Sequence, residues 1–395
     1  MSLGIHLGSS LGTSRLFRNS AQCMPSWPAD SLLSSSVRWI RLAIVRPFVL
    51  HRGDVSAAYE SWPAPSVIVS DGAYGLGGFH GDPRVHDRLE DWYCRHVEAW
   101  SMRAKPWTTL WFWNSEIGWA TVHPLLAAHG WEYVEAVVWN KGVAHVAGNV
   151  NGDTIRQFPV VTEVCVFYRR RLTFALPDGR ELAAKEWLRY EWRRAGLPLS
   201  AANDACETRN AATRKYLTQD WLWYFPPATA MEKLVAYANA NGSPDGRPYY
   251  SVDGHRPVSN EEWAKLRHIW HHAHGITNVW THPPLAGEER LRGNGRRAAP
   301  RVYRPGRLAT VHLNQKPLVF MERILAAVTD PGDVVWEPFG GLCTAGVAAL
   351  RLDRRPYCAE SDPEFADLAS KRLADASRAE EVRQPALPGI QAIGA

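Results

Sequence analysis

The stretch from Asp333 to Glu360 narrows the possible folds more than any other part of the chain. Asp333-Val-Val-Trp336 is a short apolar run that predicts a buried strand. It delivers Glu337-Pro338-Phe339 and then Gly340-Gly341, after which a helix is predicted over Ala345–Leu352, opening near Thr344. A second strand, Pro356–Ala359, ends in Glu360, 19 residues after Gly341. Strand, tight turn, helix and strand in this order predict two parallel strands joined by a right-handed crossover. A ligand is then expected beyond the carboxyl ends of the strands.

The same alternation recurs towards the N-terminus. Strands are predicted at Ser66–Ser70, Pro106–Trp113, Tyr133–Trp139 and Thr162–Tyr168, the last two able to pair, with a helix over Ala120–His129. Later come a helix over Leu318–Val328 and a last one from Ser361, where Glu364 completes an S-x-x-E capping box. The fold class expected is α/β, a doubly wound, mainly parallel sheet.

Between these flanks the pattern changes. Residues 171–310 hold 21 Lys+Arg against 14 Asp+Glu, while the whole chain of 395 residues carries a formal charge of only +5. Arg292, Arg296, Arg297, Arg301, Arg304 and Arg307 follow one another without an acid, which points towards phosphate. Three short helical stretches, Lys185–Ala195, Ser200–Cys206 and Asn210–Leu217, are spaced as in a helix-turn-helix, and equally as in a small helical bundle. The third would present Asn210, Thr213, Arg214 and Lys215, with Arg209 in the turn before it. Seven of the 19 Trp fall in this segment and are expected mostly in its core; Tyr216–Pro226 reads as a packed hairpin or a connector. Residues 1–35 are expected to be a disordered extension, a transit peptide being the other reading, and 384–395 a flexible tail. Six dispersed cysteines without a C-x-x-C pair predict reduced thiols in a cytoplasmic protein, and no apolar run is long enough to predict a membrane span.

Two features carry chemistry. Around Gly340-Gly341 the backbone can approach a ligand closely, and Glu360 can accept both hydroxyls of a ribose. No G-x-G-x-x-G and no phosphate-cradling loop accompany them, so the adenosine carrier expected is S-adenosylmethionine. The other feature is Asp71-Gly72-Ala73-Tyr74 at a strand end, where a carboxylate, a carbonyl and a ring can hold a planar heterocycle bearing an amine.

Taken with His312-Leu-Asn-Gln-Lys-Pro317 and Glu337-Pro-Phe-Gly-Gly341, the Asp71–Tyr74 loop resembles the signature motifs of the amino-group DNA methyltransferases. Their order, catalytic motif, recognition domain, cofactor motif, is similar to the β class of that family, and the resemblance covers roughly 45–372. Leu50–Asp54, Trp139-Asn-Lys141 and Asn278-Val-Trp280 extend it. It implies a Rossmann-like methyltransferase domain divided into a catalytic half (36–170) and a cofactor half (312–383), with a mainly helical target-recognition domain (171–311) inserted between them. It further implies methyl transfer to an exocyclic amine of a base flipped out of double-stranded DNA, N6 of adenine ahead of N4 of cytosine. Asp71, Gly72, Ala73 and Tyr74 would be catalytic. Asp54, Lys316, Glu337, Phe339, Gly340, Gly341, Thr344 and Glu360 would bind S-adenosylmethionine, although Asp54 and Lys316 could equally form surface ion pairs. Arg209, Asn210, Arg214, Lys215, Arg296, Arg297 and Arg301 would contact DNA. A separately encoded restriction endonuclease is an implied partner, with the chain a monomer or dimer.

Three departures stand out: Gly72-Ala73 replaces Pro-Pro, Glu337 replaces Asp, and Cys343 replaces the second glycine of the cofactor turn. They leave open a silent DNA-binding protein as the alternative to an active enzyme. His268, His271, His272 and His274 cluster in sequence, but no metal is expected there.

Overall fold

A computed structural model describes residues 39–42, 47–77, 82–143, 153, 155–285, 289–290, 292–293, 309–310, 315–378 and 382–385. In chain order its elements begin with β1 (Trp39–Leu42), β2 (Val49–Arg52), β3 (Val67–Ser70), α1 (Leu89–Arg103), β4 (Thr109–Asn114), α2 (Glu116–Ala128), β5 (Trp131–Asn140) and β6 (Thr162–Arg170). Then come β7 (Thr173–Ala175), β8 (Glu181–Ala183), α3 (Ala184–Arg194), α4 (Ala201–Ala205), α5 (Ala228–Asn241), α6 (Asn260–Leu266), β9 (Val279–Thr281), β10 (Arg292–Gly293) and β11 (Ala309–Thr310). The chain continues through α7 (Leu318–Val328), β12 (Val334–Glu337), α8 (Thr344–Arg351), β13 (Arg355–Glu360), α9 (Pro363–Ser377) and β14 (Val382–Pro385).

Eight strands form one sheet in the order β2-β13-β12-β3-β4-β6-β5-β9, and β1 pairs with β14 in a separate ribbon. Neighbours β2, β13, β12, β3 and β4 run parallel, and β6 alone opposes its neighbours. The sheet is doubly wound, and side-chain alternation shows why. Ile68, Leu110, Phe112, Val164, Val166 and Trp336 face the core built on α1 and α2. Val67, Val69, Trp111, Trp113, Cys165, Phe167 and Val335 face α7 and α8 on the other side. Strands buried on both faces read as continuous apolar runs, as these do.

Strand order then places the chemistry. β12, from the C-terminal part of the chain, lies beside β3, from the N-terminal part, so Glu337 and Ser70 end neighbouring parallel strands. This is where the two halves of the sheet meet, and their following loops share one edge.

A second apolar core lies between β6 and β9 in sequence. It gathers Phe174, Trp187, Leu188 and Trp192 with Tyr216, Met231, Leu234, Tyr250 and Trp263. Glu191 is fully buried there, held by Arg194 (2.7 Å), Arg247 (2.7 Å) and the Tyr250 amide (2.8 Å). The expected helix pair appears as α3 and α4, but the third stretch is a wide π-type turn over Thr213–Thr218, followed by a single 3-10 turn at Asp220–Leu222. No hairpin forms at 216–226; the segment is a connector.

Several boundaries differ from expectation: β4 starts at Thr109 rather than Pro106, and β5 at Trp131 rather than Tyr133. Ser115 caps α2, which starts four residues before Ala120. The last helix is not capped by Ser361: Asp362 accepts from the Glu364 and Phe365 amides and Pro363 takes the first helical position, where its missing N–H costs nothing. Gln384 and Pro385 belong to β14 rather than to a tail, while 386–395 and 1–38 lie outside the described residues. Among the described residues no helix is long and apolar enough to cross a membrane, and Cys94, Cys165, Cys206, Cys343 and Cys358 are free thiols.

Candidate active site

Loops after β2, β3, β12 and β13 enclose a cavity of about 600 Å³, lined among others by Asp54, Asp71, Gly72, Phe339, Gly340, Gly341, Glu360 and Asp362. Its side wall is α1, through Trp92, Arg95 and His96.

Asp71 to Tyr74 leave β3 in a loop with no proline, and the structure supplies a physical reason. A Cβ on Gly72 would lie 2.6 Å from Cδ2 of Phe339 and 2.8 Å from the Tyr93 hydroxyl, so only glycine fits beneath that ring. Rigidity comes instead from hydrogen bonds. The buried Ala73 carbonyl accepts from Asn114 Nδ2 (2.9 Å) and the Tyr93 hydroxyl (3.1 Å). The amides of Tyr74, Gly75 and Leu76 all donate to the Asp82 carboxylate, at 3.1, 2.9 and 3.2 Å. Gly72 keeps its own carbonyl without such a partner among the described residues.

Asp71 sits in a charged knot. Its Oδ1 accepts from Lys316 Nζ (2.8 Å) and the Tyr74 hydroxyl (2.9 Å). The same ammonium donates to Glu163 Oε1 at 2.8 Å, and that oxygen lies 2.5 Å from the Tyr74 hydroxyl, whose single proton has both carboxylates as acceptors. Lys141 closes the knot on Glu163 Oε2 at 2.9 Å. Burial pushes the Asp71 carboxyl up, against the opposing pull of Lys316. Burial acts on Glu163 too, but Lys316 and Lys141 outweigh it and hold that carboxyl below the usual range. Lys316, expected near the cofactor, thus puts its charge on the Asp71 loop.

In the turn after β12, Gly340 donates to the Ala359 carbonyl (2.7 Å), and a Cβ there would lie 2.6 Å from Cys343 Sγ. Gly341 has φ +52°, and its amide donates to Glu360 Oε2 at 2.7 Å. Glu360 Oε1 accepts from the Asp362 amide at 2.7 Å, which fixes the carboxylate at the end of β13; burial pushes it above the usual range. Phe339 packs among Trp92, Tyr93, His96 and Trp100, with ring centroids 4.9–6.2 Å away. Thr344 opens α8, its hydroxyl accepting from Arg372 (2.9 Å).

Glu337 lines the cavity and also caps a helix. Its two oxygens accept from the amides of Ala345 (3.0 Å) and Gly346 (2.7 Å), so the carboxylate caps α8 from inside the core. Burial raises its pKa to about 7. The thiols of Cys343 and Cys358 lie within 4.8 Å of this carboxylate and of each other. Cys343 itself adopts a left-handed conformation, φ +52°, where a glycine would be unstrained. Asp54 caps a 3-10 turn through the Ser56 amide (2.9 Å) and pairs with Arg95 (3.0 Å) at the rim of the cavity.

The remaining residues singled out from the sequence lie elsewhere. Arg209, Asn210 and Arg214 are exposed, and Lys215 is half-buried beside the Tyr224 ring, 5.2 Å from its centroid. Arg296, Arg297 and Arg301 lie outside the described residues. The histidines at 268–274 form no metal-binding group among the described residues: His268 is held near 4 by burial, and His271 bonds Asp330 (2.8 Å). Sequence reasoning overlooked Glu163, Asp82, Asn114 and Tyr93. Glu163 did carry a signal, as a lone acid at the head of the apolar strand Thr162–Tyr168.

Over 62 residues the chain is 44% identical to the type II methyltransferase M2.DpnII of Streptococcus pneumoniae, a stretch covering 16% of this chain and 23% of that protein. M2.LlaDCHI of Lactococcus lactis subsp. cremoris, also named a type II methyltransferase, is 42% identical over 62 residues with the same coverage. The matched stretch therefore spans under a quarter of these curated relatives. The crystal structure of an M1.HpyAVI–SAM complex is similar with a TM-score of 0.42 and 14% identity, over 83% of this chain and 100% of that one. The N6/N4 methylase family, described as DNA methylase, matches residues 66–371, and the chain belongs to that family.

Proposed function

We propose that the chain transfers a methyl group from S-adenosylmethionine to an exocyclic amine of a base flipped out of double-stranded DNA. The observation that carries this reading is one cavity holding both the Asp71–Gly72 acceptor pair and the Gly340-Gly341/Glu360 turn. The cofactor class follows from Glu337. Because its carboxylate takes the Ala345 and Gly346 amides, the start of α8 offers those donors to no pyrophosphate. An adenosine carrier without phosphates fits, with Glu360 towards its ribose, Phe339, Gly340 and Gly341 against it, and Asp54 and Thr344 nearby. Bound there, S-adenosylmethionine supplies an electrophilic methyl on a sulfonium.

An exocyclic amine is a poor nucleophile because its lone pair is delocalised into the ring. Asp71 Oδ2 and the Gly72 carbonyl accept its two N–H groups, which localises the lone pair and places negative charge where the nitrogen becomes cationic. Asp71 or water then accepts the surplus proton. Stacking on the Tyr74 ring, worth about 1–3 kcal/mol, offsets part of the cost of flipping. Asp71, where a serine would otherwise stand, favours adenine N6 over cytosine N4.

We assign target recognition to 171–311, with Arg209, Asn210, Arg214 and Lys215, and in the same segment Arg296, Arg297 and Arg301, on the DNA. A separately encoded restriction endonuclease is the partner this reading suggests, and a cytoplasmic location suits it. Incubation with duplex DNA and methyl-labelled S-adenosylmethionine tests the reading. Label transferred to DNA, with Glu360→Ala raising the KM for the cofactor at least tenfold, is the expected result. Cofactor bound but no label transferred would contradict it.

A further inference from the structure

The buried charges behind Asp71 exceed what an acceptor loop needs. Lys316 is nearly fully buried and bridges two carboxylates, Asp71 and Glu163, at 2.8 Å each, and Lys141 supplies the second positive charge. Tyr74 has one hydroxyl proton and two acceptors, and Glu163 at 2.5 Å is closer than Asp71 at 2.9 Å. Among the described residues Asp71 Oδ2 accepts no hydrogen bond, in contrast to the doubly occupied Oδ1.

We propose that Glu163 is a positioning residue of the transfer site. It draws the Tyr74 proton and half of the Lys316 charge away from Asp71, so that Oδ2 stays a strong acceptor for the target amine. This rests on the methyl-transfer reading above. Without Glu163, the single Tyr74 proton would go wholly to Asp71 and Lys316, which also donates to the Tyr74 hydroxyl at 3.2 Å, would keep Asp71 as its one carboxylate partner among the described residues; a carboxylate held by undivided donors accepts more weakly from an amine. Lys141, ion-paired to Glu163 Oε2, keeps the second carboxylate charged in the interior.

The groups facing Asp71 are Lys316 ahead of α7, Glu163 and Cys165 of β6, Tyr74 on its own loop and Tyr93 of α1, with Lys141 behind Glu163 and Asp82 across the loop. Burial keeps Cys165, Tyr74 and Tyr93 neutral through the working range, so Glu163 and Lys316 are the charged neighbours that matter. Their effects on Asp71 have opposite signs. The negative Glu163 raises its proton affinity and the positive Lys316 lowers it.

The test is kcat against pH for the wild-type chain, Glu163→Gln, Glu163→Asp and Lys316→Met, with the cofactor Kd of each as the check on folding. Glu163→Gln is expected to lose at least tenfold in kcat, to keep KM for DNA and Kd for S-adenosylmethionine within twofold, and to move the acid limb to lower pH. Lys316→Met should move that limb to higher pH, and Glu163→Asp should recover part of kcat with the limb near its wild-type place. Should Glu163→Gln not bind cofactor, Glu163→Asp is read alone: lowered kcat with an unmoved limb supports the role, and wild-type kcat overturns it. A folded Glu163→Gln with wild-type kcat, or limbs that move in the same direction in both charge variants, also overturns it. A wild-type chain that methylates no DNA would instead sink the methyl-transfer reading, which separates the two failures.

Discussion

At the scale of single residues, space decides more than chemistry does. Gly72 and Gly340 both line the cavity, each pressed by a neighbour that leaves no room for a methyl group. Gly340→Ala would push against a buried thiol and the Ala359 carbonyl, 3.0 Å from the new Cβ. Overpacking of this kind costs about 1–3 kcal/mol. The expected outcome is a melting temperature several degrees lower and a cofactor affinity reduced at least tenfold, both read by calorimetry with and without S-adenosylmethionine. Residue types also explain what could be read from sequence here. Asp71 and Glu360 stand out because each carboxylate closes an apolar strand and Glu360 follows the Gly340-Gly341 turn by 19 residues, whereas Asp71-Gly72 alone reads equally as a turn. Glu163 and Asp82 meet the Tyr74 loop only through tertiary contact, which no local pattern encodes. The absence of prolines reads along the chain as lost rigidity, because the Asp82 and Asn114 hydrogen bonds that replace them are invisible there.

Among the elements, α8 has an unusual cap. Glutamate is one methylene longer than aspartate, and it reaches past the turn to the amides of the helix's first turn. Its folded pKa of about 7 lies above the ordinary 4.5, so folding favours the protonated acid. That contribution, about 3 kcal/mol in full, is present below pH 4.5 and lost as the pH rises to 7. Thermal melts of Glu337→Gln and wild type should therefore converge at low pH and separate in the variant's favour above neutrality. A parallel pH dependence of the two would contradict the cap's protonation. In the second core, Glu191 is fully buried with Arg194 and Arg247. Glu191→Ala takes the carboxylate from the partly buried Arg247 and leaves the Tyr250 amide unpaired, while Arg194 keeps Asp245, and should cost about 3–5 kcal/mol in a denaturant titration.

Strands β3, β4, β5, β6, β12 and β13 and helices α2, α7 and α8 are legible in the sequence because apolar runs broken by Gly, Asp or Ser mark them. The start of α9 is less so, since Ser361 and Asp362 are both competent caps and only Pro363, fixed at the first helical position, decides between them. Helix α1 is missing from the sequence-based expectation although Leu89, Tyr93, Val97 and Trp100 bury one face at helical spacing. The π-type turn at Thr213–Thr218 departs from any regular period, so no pattern announces it.

For the molecule as a whole, topology brings distant motifs together. Two stretches more than 260 residues apart become neighbours because β12 pairs in parallel with β3. Alternation of strands and helices makes the sheet predictable; its pairing order is not, because register and neighbour choice depend on interactions across the whole chain. The basic segment adds a prediction at this scale. If Arg209, Arg214 and Lys215 meet phosphates, replacing all three with Ala should weaken duplex binding and flatten its dependence on salt by about one unit of log–log slope for each phosphate no longer neutralised. Methyl transfer is the claim on which the rest depends. Expressed in a methylation-free bacterial host, the wild-type chain should leave N6-methyladenine or N4-methylcytosine in genomic DNA digested to nucleosides and read by mass spectrometry, and Asp71→Ala should leave neither. Neither base from a wild-type chain that is soluble and binds S-adenosylmethionine and DNA would contradict it.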